Sequence, residues 1–420
     1  MVFRNPCTRR ILMLSFGVWV ATMELSSSRL AAAPPASVRS AQQPPKGHGE
    51  ASPQPVVPGE KVRLALLELG SQRMAAGRFD EAIKAFSDVV LQHPTDPKPL
   101  YMRGECYRKM GRVKEAEADL RAAIKLDPNG KDEQMAIVMA ELGAVLSDAG
   151  RAAEAIEVLE QAIKARPDMF ESHYNLGVAH ESLKHWPEAI AAYGRAIKLK
   201  PQDSNPRASQ ADAQYNLAVV YRRAGRLEEA VAPAREAVQL APDRPHAHLN
   251  LGMLLSDTKR FDEAVGELMA AAQLADEQYR LSKVVEDREE ARQVLHRAYW
   301  RLGVVQNRRE QPAEAVAALE KAKALQSSPE VLTDLGLARR KKGDIVRAEA
   351  EFRAALAQNP KLHSARLHLA STLASTGRCD DAVRELALLP PDPQLVETTN
   401  RIKQRCDYDR QMKAREQAPK

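Results

Sequence analysis

The sequence predicts an all-α protein built from stacked helix-turn-helix units. From residue 63 onward the chain repeats with a period of 34 residues. Each repeat contains two segments with the apolar periodicity of a helix, separated by a turn such as "AGRFDE". The composition agrees, because 44% of the 420 residues are hydrophobic, only 5% are aromatic and alanine is abundant. Such a mix favours helices that pack closely through small side chains.

Residues 1–33 are predicted to be a signal peptide or an N-terminal anchor. Basic residues precede an uncharged apolar run of 13 residues, Ile11–Met23. This run is short for a membrane span and has the length of a signal-peptide core. Residues 34–60 follow as a disordered tether, because seven prolines among Gly, Ser and Gln prevent a packed core. We therefore expect an exported protein of the periplasm or cell envelope, which residues 11–23 would anchor in the membrane if the signal is not cleaved.

The repeat is defined by small residues in fixed places. Nine units begin near residues 63, 97, 136, 170, 211, 245, 296, 329 and 363. Every unit has an alanine in its second segment, at positions 82, 116, 155, 189, 230, 264, 315, 348 and 382, and a glycine or alanine twelve residues earlier. These residues let the two helices of a unit approach closely, and a proline after six of the units ends the second helix.

This pattern, seen in "LLELGSQRMAAGRFDEAIKAFSDVVLQHP" (Leu66–Pro94), resembles the tetratricopeptide repeat over roughly residues 63–396. The resemblance implies a right-handed α-solenoid, or superhelix, in which the first helix of each unit lines a concave groove where peptides bind. One unit alone cannot bury its apolar face, so the units must stack.

The repeats divide the chain into segments. Units one to six span 61–278, and units seven to nine span 296–396. Residues 279–295 between them are predicted to be a helical insertion, which is either a tolerated extension or a protrusion for a specific partner. Residues 397–420 should form a polar-faced helix and tail that cap the open end of the stack.

Two cysteines near the C-terminus are candidates for a disulfide. Cys379 and Cys406 lie at similar distances from the turn that is predicted near Asp392, so an antiparallel helical hairpin would bring them abreast. In an oxidising compartment they could form a bridge that closes the cap, and otherwise they are two thiols.

The sequence gives no indication of catalysis, a cofactor or a metal. It has no phosphate-binding loop, hydrolase elbow or dinucleotide fingerprint, and no nucleophile with a paired base. The histidines lack a ligand set at metal-binding spacing. Nucleic acid is not expected as a partner, because residues 1–60 supply half of the net charge of +6 and the remainder is nearly balanced.

The groove that the resemblance implies contains three asparagines at the sixth position of consecutive units, Asn175, Asn216 and Asn250. The other units have Glu68, Met102, Glu141, Arg301, Asp334 and His368 there. An amide both donates and accepts hydrogen bonds, so it can pair with any peptide backbone. The three are therefore either a generic lining that the family favours or a ligand ladder similar to that in the superhelix of O-linked N-acetylglucosamine transferases.

Aromatic and basic residues of the same lining are further candidates for the peptide-binding groove, namely Tyr174, Tyr215, Arg222 and Arg223. The carboxylate clamp of chaperone-binding relatives is not predicted, because unit one has Leu67 and Ser71 where that clamp has Lys and Asn.

These observations predict a non-enzymatic scaffold that binds a peptide or partner protein in its groove, in cell-envelope assembly. Two alternatives remain open: an accessory subunit of an envelope enzyme such as a glycosyltransferase, and a self-associating membrane-anchored adaptor. The oligomeric state stays open.

Overall fold

The computed structural model describes residues 58–126, 133–203, 205–390 and 393–416. The predicted signal and nearly all of the predicted tether lie outside these residues. The described residues form helices and no strand, so the predicted all-α class is confirmed. The helices are α1 Pro58–Ala75, α2 Phe79–Gln92, α3 Pro97–Lys109, α4 Val113–Leu126, α5 Glu133–Asp148, α6 Ala152–Ala165, α7 Phe170–Ser182, α8 Trp186–Ala196, α9 Pro206–Arg223, α10 Leu227–Leu240, α11 Pro245–Asp257, α12 Phe261–Leu281, α13 Val285–Arg308, α14 Pro312–Leu325, α15 Pro329–Lys341, α16 Ile345–Gln358, α17 His363–Ser375, α18 Cys379–Ala387 and α19 Pro393–Glu416.

The chain divides into two compact units, and the division falls between His185 and Trp186, inside the fourth repeat. The N-terminal unit contains α1 to α7, and the C-terminal unit contains α8 to α19. Each unit is described by itself below.

Close approach of the two helices in a repeat explains the small residues. All nine repeat alanines are fully buried. At Gly70 an added Cβ would lie 2.4 Å from Cε1 of Phe86, and at Gly303 it would lie 2.4 Å from Cγ of Leu319. Because such distances are far inside van der Waals contact, a larger residue would push the helices apart.

First helices of consecutive repeats also pack against each other. In the N-terminal unit α5 packs on α7, and in the C-terminal unit α13 packs on both α11 and α15. The first helices of each unit therefore form a shared layer. We call the surfaces of these layers the N-terminal first-helix face, on α1, α3, α5 and α7, and the C-terminal first-helix face, on α9, α11, α13, α15 and α17.

The segment predicted as an insertion consists of extended repeat helices. α12 has 21 residues and α13 has 24, and the two pack along each other. Residues 282–284 connect them, and Leu281, Val284 and Val285 are exposed around this tip.

The last helix closes the C-terminal unit. α19 begins at Pro393, a few residues before the predicted cap, and packs on α17 and α18. Its Ile402 and Cys406 join a core with Leu373, Leu386 and Cys379. No helix in the described part of the chain is both long enough and apolar enough to cross a membrane.

Candidate functional site: the two first-helix faces

Charged side chains of the N-terminal first-helix face contact one another. Arg108 on α3 forms an ion pair with Glu141 on α5, and its Nη1 lies 3.6 Å from Oδ2 of Asp148. Both partners of the first pair are largely shielded, with side chains 12% and 14% exposed. Lys109 Nζ is 3.5 Å from Oε1 of Glu105. This network joins consecutive repeats.

Carboxylates outnumber cations in this network. Burial raises the pKa of Glu105, and the nearby charge of Glu141 raises it further. Burial also raises the pKa of Tyr101 well above its usual range, with added contributions from both carboxylates. In this network carboxylates are therefore in excess, and both cations are already paired.

Asn175, the first of the three asparagines, connects two repeats of the N-terminal unit. Its Nδ2 donates a 3.1 Å hydrogen bond to the carbonyl oxygen of Ala140 on α5. Next to it, Tyr174 is half-buried and stacks on Phe170, with ring centroids 5.7 Å apart. Both predicted residues thus lie on the first-helix layer and make contacts inside the fold.

Asn216 and Asn250 lie in the C-terminal unit, where both side chains are buried. The Nδ2 of Asn250 has no hydrogen-bond acceptor among the described residues. A buried donor without an acceptor costs about 1–3 kcal/mol, because it has lost water and gained nothing. Asn250 is therefore a polar group that the fold leaves unsatisfied.

Arg222 on α9 is a second unsatisfied donor on the C-terminal face. Its side chain is half-buried, and its Nε has no hydrogen-bond acceptor within the part of the chain that the structure describes. Burial lowers the pKa of Arg222; Tyr215 and Asp257 raise it, and the like charges of Arg297 and Arg223 lower it. Arg222 is thus held near another guanidinium group without a full counter-charge.

Arg297 on α13 approaches the same region from the other side of α11. Its Nη2 lies 3.9 Å from Sδ of Met253, which is a residue of α11. On a helix, positions 250, 253 and 257 share one stripe, because residues three and four apart are neighbours. Arg222 and Arg297 therefore flank the stripe that contains Asn250 and Met253.

A tryptophan and further arginines continue this surface along α13. Trp300 donates a 2.7 Å hydrogen bond from Nε1 to Oδ2 of Asp334 on α15, and Arg301 lies over the Trp300 ring at 5.3 Å. Burial raises the pKa of Asp334, whereas the Trp300 bond and the charges of Arg301 and Arg308 lower it. Nη1 of Arg308 is 3.4 Å from the carbonyl oxygen of Ser256 on α11.

Arg340 and His368 extend the surface to α15 and α17. Arg340 is half-buried, and burial lowers its pKa. Burial also lowers the pKa of His368 to about 4, and the positive charge of Arg340 contributes to this shift. The imidazole is therefore neutral at physiological pH.

Five arginines on the C-terminal face share one property. Within the described residues, none of their guanidinium groups lies at ion-pair distance from a carboxylate; they are Arg222, Arg297, Arg301, Arg308 and Arg340. Many arginines elsewhere in this unit are paired, such as Arg353 with Glu349 and Arg401 with Glu397. The C-terminal face therefore presents five guanidinium groups without a carboxylate at ion-pair distance in the described residues.

The structure separates two predicted groove residues that are neighbours in sequence. Arg222 reaches towards Asp257 and Arg297, whereas the Arg223 guanidinium lies 6.0 Å from the ring centroid of Trp186, on the second helix of the preceding repeat. Consecutive residues on a helix point in directions about 100° apart, which explains this divergence. Tyr215 is half-buried near Arg222.

The remaining arginines of this face were not among the sequence-derived groove candidates. Arg297, Arg308 and Arg340 occupy different positions within their repeats, so a comparison of the sixth position alone does not find them. Counting basic residues at every first-helix position that faces the layer would have identified the cluster.

The two C-terminal cysteines lie side by side as thiols. Cys379 is buried and Cys406 is fully buried. Burial raises the pKa of Cys406 to about 12, and a hydrogen bond with Cys379 contributes to this shift. Such thiols react slowly, since the thiolate is the reactive form.

Two of the histidines that could suggest a metal site have partners within the protein. Nε2 of His173 is 2.8 Å from the carbonyl oxygen of Pro167, and Nδ1 of His248 is 2.7 Å from Oε2 of Glu267. In the described residues, no group of three or more His, Cys, Asp or Glu side chains is arranged to hold a metal ion.

Sequence models described as the tetratricopeptide repeat match residues 64–96, 98–168, 141–204, 204–245 and 339–395, more than half of the chain. Over 139 residues the chain is 27% identical to the "Probable UDP-N-acetylglucosamine--peptide N-acetylglucosaminyltransferase SPINDLY" of Hordeum vulgare. This match spans 33% of the chain and only 15% of that relative.

Solved structures of repeat proteins are also similar to this chain. Pseudomonas aeruginosa pilF is 18% identical, and the match covers 56% of this chain and 94% of pilF with a TM-score of 0.44. YrrB, described as a TPR protein with an unusual peptide-binding site, is 20% identical, with 53% and 97% covered and a TM-score of 0.40.

Proposed function

Because this chain belongs to the tetratricopeptide repeat family, whose members act as protein-interaction scaffolds, we propose that it binds a segment of a partner protein on its C-terminal first-helix face. The observation that carries the proposal is the pair of buried donors, Asn250 Nδ2 and Arg222 Nε, that have no acceptor within the described residues. Buried polar groups are normally hydrogen-bonded. Acceptors supplied by a bound polypeptide would complete them.

The chemistry of this face supports binding rather than catalysis. It offers guanidinium groups, an amide and an indole, which are frequent contact groups at protein interfaces. A non-enzymatic scaffold needs only such contacts.

We propose further that this scaffold acts in the cell envelope, in assembly of an envelope structure. The support is the sequence of residues 1–60, with a basic start, a short apolar run and a proline-rich tether. A reporter enzyme that is active only after export, fused behind residue 60, should become active, and inactivity would count against this location.

A second candidate function is that of an accessory subunit of an envelope glycosyltransferase. The observation that favours it is the similarity to the repeat-containing transferase of Hordeum vulgare, although the match spans only a small part of that relative. A transferase recovered in a stoichiometric complex with the chain would favour this candidate.

The binding face is testable by site-specific photo-crosslinking of the full chain in its own cells. A crosslinking amino acid replaces Asp257, which is exposed on α11 beside Arg222, or Met269, which is exposed on the second helix α12. We expect discrete adducts from position 257 that weaken when Arg222 is also changed to Gln, and none from position 269. Equal adducts from both positions, or none from 257, would refute the proposal.

A further inference from the structure

Asn250 Nδ2 on α11 and Arg222 Nε on α9 are two of the buried side-chain atoms of the C-terminal unit without a hydrogen-bond partner in the described residues; Asn307 Oδ1 and Arg339 Nε are the others. Asn250 Nδ2 and Arg222 Nε are both donors, so neither can satisfy the other. The missing partner must therefore supply acceptor atoms. A carboxylate is the strongest acceptor that a polypeptide side chain offers, and it can take two parallel hydrogen bonds from one guanidinium group.

The position of the donors suits one carboxylate. Arg222 approaches the α11 stripe from α9, and Arg297 approaches it from α13, with Nη2 3.9 Å from Met253 Sδ. Asn250 lies on that stripe between them. Two like charges near each other in a partly desolvated place repel, and an anion bound between them would remove the repulsion.

The charge of the face extends beyond one carboxylate. Arg301, Arg308 and Arg340 continue the surface along α13 and α15. Asp257 acts on Arg222, and Asp334 interacts with Arg301 and Arg308, but within the described residues neither carboxylate lies at ion-pair distance from these groups. One terminal carboxylate cannot contact guanidinium groups on α9, α13 and α15 at once, whereas an extended chain with several acidic side chains can.

We infer that the C-terminal first-helix face binds an internal acidic segment of the partner, rich in Asp and Glu, with Arg222, Asn250 and Arg297 around one of its carboxylates. This inference rests on the proposed function. Arg301, Arg308 and Arg340 contact further acidic side chains along the segment. The partner is thus selected by the negative charge of its side chains.

A labelled peptide of alternating glutamate and serine, with an amide-capped C-terminus, tests this inference by fluorescence anisotropy with the full chain. We expect saturable binding at low ionic strength that weakens as salt is added, because exposed charges are screened. The double variant Arg222→Gln/Arg297→Gln should weaken binding about tenfold or more, since two charge-assisted contacts are lost. Asn250→Ala should weaken it by several-fold.

The matched control is Arg353→Gln/Arg401→Gln, which removes the same charge from arginines that are paired on α16 and α19. This variant should bind the peptide within about twofold of the unchanged protein, because its substitutions lie away from the face. Equal weakening by both double variants would mean non-specific attraction and would overturn the inference.

A second peptide separates the two sources of carboxylate. It alternates glutamine and serine and ends in a free carboxylate. If it binds as well as the glutamate peptide, the face recognises a chain terminus and the inference is wrong. If neither peptide binds while position 257 still gives crosslinks, the inference of an acidic segment is wrong, but the proposal that this face binds a partner is retained.

Discussion

In the N-terminal unit, the charged side chains of the first-helix face contact each other, whereas in the C-terminal unit five guanidinium groups of the corresponding face contact no carboxylate in the described residues. Arg108 is enclosed by Glu141 and Asp148, while Arg222 has a buried Nε without an acceptor. The same repeat architecture thus supports two uses of charge. Paired charges hold neighbouring repeats together, and unpaired charges remain available to a ligand.

The C-terminal unit also contains a pair of cysteines beside its last helix, α19. Joining them should change stability more than any other test proposed here. Refolding with oxidised glutathione should join Cys379 and Cys406, as their thiols give two electrons to the glutathione disulfide and two reduced glutathione molecules are released. On the loop-entropy account the bridge raises the free energy of unfolding by about 3–4 kcal/mol. Peptide-resolved hydrogen exchange should show the gain in α17 to α19 and none in the N-terminal unit.

A double variant, Cys379→Ala/Cys406→Ala, serves as the control for this experiment. It should exchange identically with and without oxidised glutathione. Because the sequence has four cysteines, titration of four thiols in the denatured, glutathione-treated full chain, instead of two, would show that no bridge forms, and any stabilisation would then have to come from packing alone.

The contrast between paired and unpaired arginines predicts different responses to the same substitution. Arg108→Met leaves the shielded Glu141 beside Glu105 without its cation, which should cost the N-terminal unit about 3 kcal/mol. Arg222→Met breaks no ion pair in the described residues and removes a buried unsatisfied donor, so the C-terminal unit should change by less than about 1 kcal/mol.

Hydrogen exchange in increasing urea measures both effects unit by unit, which is needed because repeat arrays often unfold in parts. An exposed control is Arg121→Met, since Arg121 is paired with Glu117 on the surface of α4 and should have a small effect. Equal losses of stability from Arg108→Met and Arg222→Met would contradict the proposed difference between the paired arginine of the N-terminal face and the unpaired arginine of the C-terminal face.

Periodicity predicts those features of this molecule that every repeat must share. Ala82 and Gly70 were found from the period because helix contact within a unit imposes the same small size each time. The period does not predict whether each asparagine forms a hydrogen bond within the fold. Asn175 and Asn250 occupy the same repeat position, yet only Asn175 has an acceptor in the described residues, because that acceptor comes from the neighbouring helix.

The unpaired arginines were missed for a related reason. Whether an arginine is paired depends on the residue opposite it in the next repeat. Arg108 meets Glu141 at the sixth position of its neighbour, but the sixth position next to Arg222 is Asn250. A single sequence shows these residues without showing which of them face each other.

The smallest expected effect separates the asparagines themselves. Asn175→Ala removes a hydrogen bond to the Ala140 carbonyl and should lower the stability of the N-terminal unit by about 1 kcal/mol. Asn250→Ala removes a donor that has no acceptor in the described residues, so stability should not fall by more than about 0.5 kcal/mol while ligand binding weakens. Hydrogen exchange and glutamate-peptide anisotropy on both variants measure these two responses. If Asn250→Ala lowers stability without weakening peptide binding, Asn250 has a structural role, as Asn175 does through its contact with Ala140. The arginines would then be the groups that select the ligand.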